Sequence, residues 1–459
     1  MNKFNYLPHT TNDRNSLLKE IGLNKEDDLF QNIPEKLRQT RLGIPDPLTE
    51  LEVQKRILEL AKKNVWLGDY ISFLGGGSYD RYIPSTVEHV VSRPEFLTAY
   101  TPYQPEISQG TLQFIYEYQS MICSLTGMDV SNASMYDVAS AAAEAALMAC
   151  RVTRREKVLI AKTVDPETQQ VVNTYTSGPN IKTEVLPMDE GITCLDSLKS
   201  MLNKDVACIV IQMPNYLGNL EEVKKIEKLV HENGALFVVI SDPISVGIIK
   251  PPGKYGADIV VGSGQSLGCG LTYGGPYFGF MACKEKYMRQ MPGRIVGATV
   301  DNRGNKAFTL TLQTREQHIR REKATSNICS NHSLNALASC VYLSTVGPTG
   351  LKDLANICFQ RAHYLAQKIS KIPGFKIPFN NFFSEFVMVL PDGISEETFM
   401  EKMLERRILP GISISKHYEE IPNAILVSVT EKNSEVDLYF FTTVLEEISK
   451  KMKLQVTGK

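Results

Sequence analysis

Between about residues 105 and 300, the chain alternates helix-like segments with short, uniformly apolar runs. A segment rich in small residues at 138–152 is typical of a helix, and segment 221–233 repeats apolar residues at helical spacing before Gly234, a common helix stop. Three runs rich in β-branched residues lie at 158–161, 206–212 and 235–240. Strands that are apolar on both faces suit a parallel sheet covered by helices on both sides. The sequence therefore predicts an α/β fold with a large, mainly parallel sheet.

The N-terminal region differs from this central part. Residues 1 to 65 are polar and helical in pattern, with Thr10 and Asp13 at the spacing of a capping box and Gly22 as a helix stop. We expect an N-terminal helical arm over 1–65. Such an arm packs on a partner subunit or caps its own domain, and the pattern alone does not decide between the two.

The C-terminal region has a pattern of its own. Helix, strand, helix, strand and helix signals follow one another at 351–370, 386–390, 395–406, 425–429 and 435–450. This succession predicts a smaller α/β domain at 346–459, which leaves 66–345 as the large domain.

Composition excludes several classes of function. The 459 residues include 50 Lys and Arg against 51 Asp and Glu, so the chain lacks the positive charge that binds a nucleic-acid backbone. The nine cysteines are scattered without a CxxC pair, which indicates reduced thiols, a cytoplasmic location and no metal site. No run approaches the roughly 18 apolar residues of a membrane span, and the N-terminus lacks the apolar region of a signal peptide.

The segment 256–268, GADIVVGSGQSLG, contains a strand and a glycine turn but no lysine. It resembles the strand and turn that carry the catalytic lysine of fold-type I pyridoxal-phosphate enzymes. In those enzymes the lysine follows an Ala-Asp pair at a spacing that falls here on Gln265 or Ser266. Pyridoxal phosphate needs an amine to form its imine, and neither residue has one. The nearest lysines, Lys254 and Lys284, flank the segment.

Two further segments carry candidate cofactor-binding residues. Small polar residues at 132–137, Ser134 among them, precede the helix at 138–152, and such residues either hold a phosphate at a helix start or simply cap the helix. Asp242 ends a buried strand before Pro243. In the fold-type I enzymes such an aspartate pairs with the pyridine nitrogen, but strand-end aspartates also cap the following turn.

Longer motifs give a more specific resemblance. They read FLGGG at 73–77, FLTAYTPYQPE at 96–106, PGR at 292–294, REQHIRREK at 315–323 and ATSNIC at 324–329. Together they resemble the P-protein family of the glycine cleavage system, and more narrowly the lysine-free subunit of its two-subunit bacterial form. The likeness runs across nearly the whole chain and is weakest in the first 40 residues and the final domain.

The resemblance implies a fold of the aspartate aminotransferase type and a subunit of glycine dehydrogenase (decarboxylating). In that family glycine forms an imine with pyridoxal phosphate and loses carbon dioxide, and the aminomethyl group passes to the lipoyl arm of the H-protein. The cofactor would be held covalently by a lysine-bearing subunit 2 in an α2β2 assembly. In this chain Ser134 and Asp242 would remain as a vestigial pocket.

Tyr100 and Tyr103 are the candidate catalytic residues that this chain would contribute to the partner's site. Their phenols lie on a loop stiffened by proline, from which they could reach the glycine carboxylate or the cofactor edge. Interface packing explains Tyr103 nearly as well. Two other functions stay open: a purely structural partner, and a self-sufficient pyridoxal-phosphate decarboxylase or aminotransferase that uses another lysine such as Lys284.

Overall fold

The structure, a computed structural model, describes residues 9–38, 43–313, 317–328 and 330–457. The chain divides into two compact units, Met1–Val65 and Trp66–Lys459. In the first unit, helices α1 (Thr11–Glu20) and α2 (Glu50–Ala61) both begin with a capping box. The predicted box of Thr10 and Asp13 is confirmed, since each residue's side chain bonds the other's backbone N–H.

The second unit contains the remaining helices and all the strands of the described residues. Its helices are α3 (Ser85–Val91), α4 (Pro94–Leu97), α5 (Gln109–Thr126), α6 (Val138–Thr153), α7 (Pro166–Ser177), α8 (Leu195–Met201), α9 (Val223–Asn233), α10 (Gln317–Arg320), α11 (Ser333–Ile369), α12 (Glu396–Glu405) and α13 (Glu435–Thr457). Its strands are β1 (Ile71–Ser72), β2 (Val130–Ser131), β3 (Lys157–Ala161), β4 (Lys182–Leu186), β5 (Met188–Asp189), β6 (Ile192–Thr193), β7 (Val206–Met213), β8 (Leu236–Ser241), β9 (Ile259–Ser263), β10 (Gly279–Cys283), β11 (Ile295–Val300), β12 (Lys306–Thr311), β13 (Glu385–Val389), β14 (Ile408–Leu409), β15 (Ile412–Ser413) and β16 (Ala424–Ser428).

The largest sheet is mainly parallel, as predicted. Within the described residues its strand order is β2-β10-β9-β8-β7-β3-β4. Strands β4, β3, β7, β8 and β9 run parallel, whereas β10 is antiparallel to β9 and β2 is antiparallel to β10. The carboxyl ends of the parallel strands therefore meet at one edge of the sheet, and the residues that follow β3, β7, β8 and β9 are brought together there.

Apolar burial on both faces holds this sheet. Every residue of β8 is buried, and the alanine-rich α6 packs on β7, β8, β9 and β10 with ten of its sixteen residues buried. Small side chains let the helix approach the strands closely. Strand β8 lies one residue later than the predicted run at 235–240, and Gly234 ends α9 in a left-handed conformation, as predicted.

Two helices begin elsewhere than predicted. Helix α9 starts at Val223 rather than at 221, because the buried Glu221 carboxylate accepts hydrogen bonds from Thr163, Asn215 and the Thr193 backbone N–H. The helix predicted from 351 is only the second half of α11. That helix begins at Ser333 and is kinked at Gly347, whose φ is 65°, ahead of Pro348.

A second hydrophobic core forms around an antiparallel sheet, which has the order β13-β16-β15 among the described residues. Helices α12 and α13 contribute Phe399, Met403, Phe441 and Leu445 to this core. Each strand predicted here lies within one residue of its observed position. The division of the chain at 345 and 346 stays a prediction.

Candidate functional site

Residues at the carboxyl ends of the parallel strands surround a small cavity. The polar part of its lining includes Asp165, Gln212, Asp242, Ser263 and Ser266, and Gly76 and Gly77 of the glycine loop close another side. The cavity measures about 60 Å³. Small-molecule sites usually measure roughly 300–1,000 Å³. Among the described residues, no lysine or arginine belongs to this lining.

The resemblance places the lysine at Gln265 or Ser266. Ser266 lines the cavity, and the Gln265 side chain is used entirely within the fold. The side-chain oxygen accepts a hydrogen bond from the Tyr79 backbone N–H at 2.9 Å. The side-chain nitrogen donates to the Tyr79 carbonyl at 3.0 Å and to the Cys269 carbonyl at 2.9 Å. Gln265 is 1% exposed. Its amide therefore fastens the chain at Tyr79 and is not available as a reactive group.

Asp242 lies in the cavity lining at the end of β8, where the sequence predicted it. Its carboxylate accepts hydrogen bonds from the backbone N–H groups of Ile244 and Ser245, which is the turn-capping alternative. Burial raises the pKa of this carboxyl above its ordinary value, while the Arg81 charge and the two N–H groups oppose that rise.

The loop at 132–137 caps α6 with a carboxylate. Asp137 is the N-cap residue, and its side chain accepts a hydrogen bond from the Ser140 N–H at 2.7 Å. Ser134 is fully buried, has a φ of 123°, and accepts a hydrogen bond from the His332 N–H at its hydroxyl. Ser134 does not line the cavity. An anion at this helix start would meet the negative charge of Asp137.

A buried polar cluster lies next to the cavity. The Glu385 carboxylate accepts hydrogen bonds from the Gly76 N–H and from the Tyr79 hydroxyl, both at 2.8 Å. Arg81 pairs with Glu431 at 2.9 Å, and the Arg81 side chain is 2% exposed. Burial raises the pKa of Glu385 to about 7. The cluster joins the glycine loop at 75–77 to β13 and the loop after β16.

Lys284 lies at the opposite edge of the main sheet. It follows β10, and Cys283 pairs with Ile259 at the start of β9, whereas the cavity lies past the end of β9 at Ser263. That strand separates the two places by roughly 13 Å. The Lys284 amine is also bound to the Asp258 carboxylate at 2.6 Å.

These residues do not fit pyridoxal phosphate. The two positions at which the resemblance places the imine-forming lysine hold Gln265 and Ser266, neither of which has an amine, and the helix start that would face the phosphate carries Asp137. The cavity lining adds the carboxylate of Asp165. Among the described residues, this cavity lining therefore offers no amine that could form the imine with the cofactor.

The two candidate tyrosines lie on the loop between α4 and α5. Tyr100 is 88% exposed. Tyr103 is 47% exposed, and its hydroxyl accepts a hydrogen bond from Arg294 at 2.9 Å. The two tyrosines are close in sequence, but Tyr103 is held by Arg294 whereas Tyr100 is largely exposed. Neither lines the cavity.

Sequence reasoning missed several residues of this region. Glu385 and Tyr79 are 306 positions apart, and no local pattern connects them. Asp165 could have been found from the sequence, since an aspartate before Pro166 is a typical helix start. Of the quoted motifs, Arg315, Glu316 and Cys329 lie outside the described residues.

Neither metal nor membrane features occur in the described ranges. No group of three or more His, Cys, Asp and Glu side chains there is arranged to hold a metal ion. In the same ranges, no helix combines the length and the apolar character needed to cross a membrane.

Comparison with known proteins gives consistent results over nearly the whole chain. A family model described as glycine cleavage system P-protein matches residues 4–445. A protein of Desulforamulus reducens named probable glycine dehydrogenase (decarboxylating) subunit 1 is 51% identical over 446 residues, which cover 97% of this chain and 100% of that protein. A crystal structure of glycine decarboxylase (P-protein) of the glycine cleavage system, in inhibitor-bound form, has a TM-score of 0.89 and 40% identity, and covers 97% of this chain and 100% of that one.

More distant structures share the fold alone. Glutamate decarboxylase of Lactobacillus brevis has a TM-score of 0.65 at 13% identity and covers 91% of this chain and 96% of its own. The predicted fold class, that of the fold-type I pyridoxal-phosphate enzymes, is confirmed. With a family model and a full-length relative in agreement, the chain belongs to the glycine cleavage system P-protein family.

Proposed function

We propose that this chain is subunit 1 of glycine dehydrogenase (decarboxylating) in the glycine cleavage system, acting with a lysine-bearing subunit 2. The observation that carries the proposal is that neither Gln265 nor Ser266, the two positions where the lysine is expected, has an amine, and that the Gln265 amide is buried and fully hydrogen-bonded. The full-length relative named as subunit 1 supports the same assignment.

The proposed division of work follows from that observation. Pyridoxal phosphate is held covalently by subunit 2, where it supplies the electron sink for loss of carbon dioxide from glycine. The aminomethyl group then passes to the lipoyl arm of the H-protein. Two copies of each subunit form an α2β2 assembly. This chain contributes a rigid neighbouring surface and the phenols of Tyr100 and Tyr103.

The exposure of the tyrosine loop supports a contribution to the partner. A phenol as exposed as that of Tyr100, at 88%, packs little against its own chain. The hydroxyl groups of both tyrosines are good donors to a carboxylate or a phosphate. In this assignment they orient substrate or cofactor rather than form a covalent bond.

The two alternatives differ from this proposal in testable ways. A purely structural partner would leave turnover independent of both phenols. A self-sufficient enzyme would need a lysine near the cavity, and Lys284, bound to Asp258 at the other sheet edge, is badly placed for that role.

The assignment can be tested by reconstitution. This chain, the lysine-bearing subunit and their mixture are each supplied with pyridoxal phosphate, lipoylated H-protein and glycine labelled in its carboxyl group. We expect labelled carbon dioxide from the mixture only. Release by this chain alone, or full release by the partner alone, would contradict the proposal.

A further inference from the structure

We propose that Arg294 is a positioning residue for the assembled enzyme. It holds Tyr103 so that the phenol O–H donates a hydrogen bond to an anionic group in the partner's site. The anion is a carboxylate or a phosphate, which the substrate glycine and the cofactor respectively present. This inference rests on the proposed function and deepens it by assigning the group that orients the tyrosine.

Arg294 contacts Tyr103 in two ways. One guanidinium nitrogen, Nη2, donates to the Tyr103 hydroxyl at 2.9 Å. The guanidinium carbon also lies 5.2 Å from the centre of the tyrosine ring, within the range of a cation–π contact. Arg294 is 6% exposed, whereas Tyr103 is 47% exposed. The buried arginine thus fixes both the ring and the oxygen of a side chain that faces solvent.

The direction of the phenolic proton follows from hydrogen-bond chemistry. A guanidinium can only donate, so the Tyr103 oxygen is the acceptor in its bond with Arg294. The hydroxyl keeps one proton to donate. Among the described residues, no hydrogen bond uses that proton. Carboxylate and phosphate oxygens are acceptors, and a charged acceptor makes the stronger bond.

Arg294 is itself held rigidly by the motif in which it lies. The Asn132 amide donates to the Pro292 carbonyl at 3.0 Å, and Gly293 adopts a φ of 76° that favours glycine. The Arg294 carbonyl accepts a hydrogen bond from the Ala133 N–H at 2.8 Å. The Pro292-Gly293-Arg294 motif therefore forms a fixed support between the loop at 132–137 and β11.

The tyrosine loop is anchored at its other end. The Gln109 amide nitrogen donates to the Pro105 carbonyl at 2.7 Å, and the same side chain pairs with the backbone of Phe308 in β12. Tyr103 is therefore fixed on both sides, whereas Tyr100 is 88% exposed. A donor fixed before binding gives a stronger effect than one that must be ordered on binding. On this ground Tyr103, rather than Tyr100, is the better-prepared donor.

The test uses the assembled enzyme with both subunits and compares Tyr103→Phe, Arg294→Gln and the double variant. Each is assayed for kcat and for the KM of glycine, and separately for the affinity of pyridoxal phosphate. We expect Tyr103→Phe to raise either the glycine KM or the dissociation constant of the cofactor by about tenfold, the size of one lost hydrogen bond to a charged group. A change in the glycine KM identifies the carboxylate, and a change in cofactor affinity identifies the phosphate.

Comparing the double variant with the two single variants shows whether Arg294 acts through Tyr103 or only supports the fold. We expect Arg294→Gln to produce the same change in the same constant, with no further change in the double variant. Arg155→Gln is the matched control, because Arg155 binds backbone carbonyls at the opposite sheet edge. It should leave both constants as in the wild type.

Several results would overturn the inference. They are an unchanged glycine KM and cofactor affinity in Tyr103→Phe, or additive effects of the two single substitutions. Tyr103→Phe leaves the buried arginine in place, so this arm remains informative if Arg294→Gln does not fold. An inactive wild-type mixture would overturn the proposed function together with this inference.

Discussion

The Gln265 side-chain amide pairs with the backbone N–H and carbonyl of Tyr79, in the manner of two neighbouring strands, and also donates to the Cys269 carbonyl. An amide can both donate and accept at one place, which the ammonium group of a lysine cannot do. Gln265 therefore offers no reactive amine, and it makes a contact between segments 186 positions apart.

This contact should matter for stability. Changing Gln265→Ala removes three hydrogen bonds in a site that is 1% exposed, and leaves buried backbone groups without partners. We expect the free energy of unfolding to fall by roughly 2 kcal/mol or more. Urea unfolding measures it, and the exposed Gln367→Ala provides the control. A loss no larger than that of the control would show that the amide is not structural.

The roles of individual side chains were the hardest features to predict from the sequence. Asp242 had two open roles, and only the positions of the Ile244 and Ser245 N–H groups show that it caps a turn. Ser134 was a candidate for phosphate binding, but its hydroxyl is engaged by the backbone of His332, 198 positions away. Contacts over such sequence distances leave no local pattern from which to predict them.

At the scale of elements, Glu385 joins the glycine loop at 75–77 to the first residue of β13. A Cβ on Gly75 would lie 2.2 Å from the Glu385 carboxylate, so only glycine permits this approach. The carboxyl is buried, and its pKa is raised from 4.5 to about 7. Protonation therefore favours the folded state.

The sign of this effect gives a prediction for pH. A group whose pKa is higher in the folded state contributes stability that is fully present below pH 4.5 and is lost as the pH rises through 7. Over that window the wild type should lose roughly 3 kcal/mol of unfolding free energy relative to Glu385→Gln. Unfolding by urea at pH 5 and pH 8 tests it, with the exposed Glu419→Gln as control. Parallel pH curves for wild type and Glu385→Gln would contradict the assignment.

Most elements of the fold could be predicted because their signals are local. The apolar runs that became β3, β7 and β8 were found within about one residue, since buried parallel strands have uniform apolar patterns. Helix α11 was only half predicted. Its kink at Gly347 and Pro348 looks in sequence like an end, and the packing that continues the helix is not visible there.

At the scale of the whole molecule, the exposed loop with Tyr100 is proposed to contribute to the site of a partner subunit. Changing Tyr100→Phe in the assembled enzyme should lower turnover and leave assembly intact, because it removes one hydroxyl and keeps the ring. Steady-state decarboxylation of glycine measures the turnover, and size-exclusion chromatography checks the assembly. Tyr364→Phe, a half-exposed tyrosine on α11, is the matched control. Unchanged turnover would remove Tyr100 from the site.

The central claim is that this chain holds no cofactor and that its partner does. The direct measurement is to mix both subunits with pyridoxal phosphate, reduce with borohydride and locate the pyridoxyl group by mass spectrometry of the separated chains. The account predicts a pyridoxyl-lysine on the partner only. A pyridoxyl group on any lysine of this chain would contradict it.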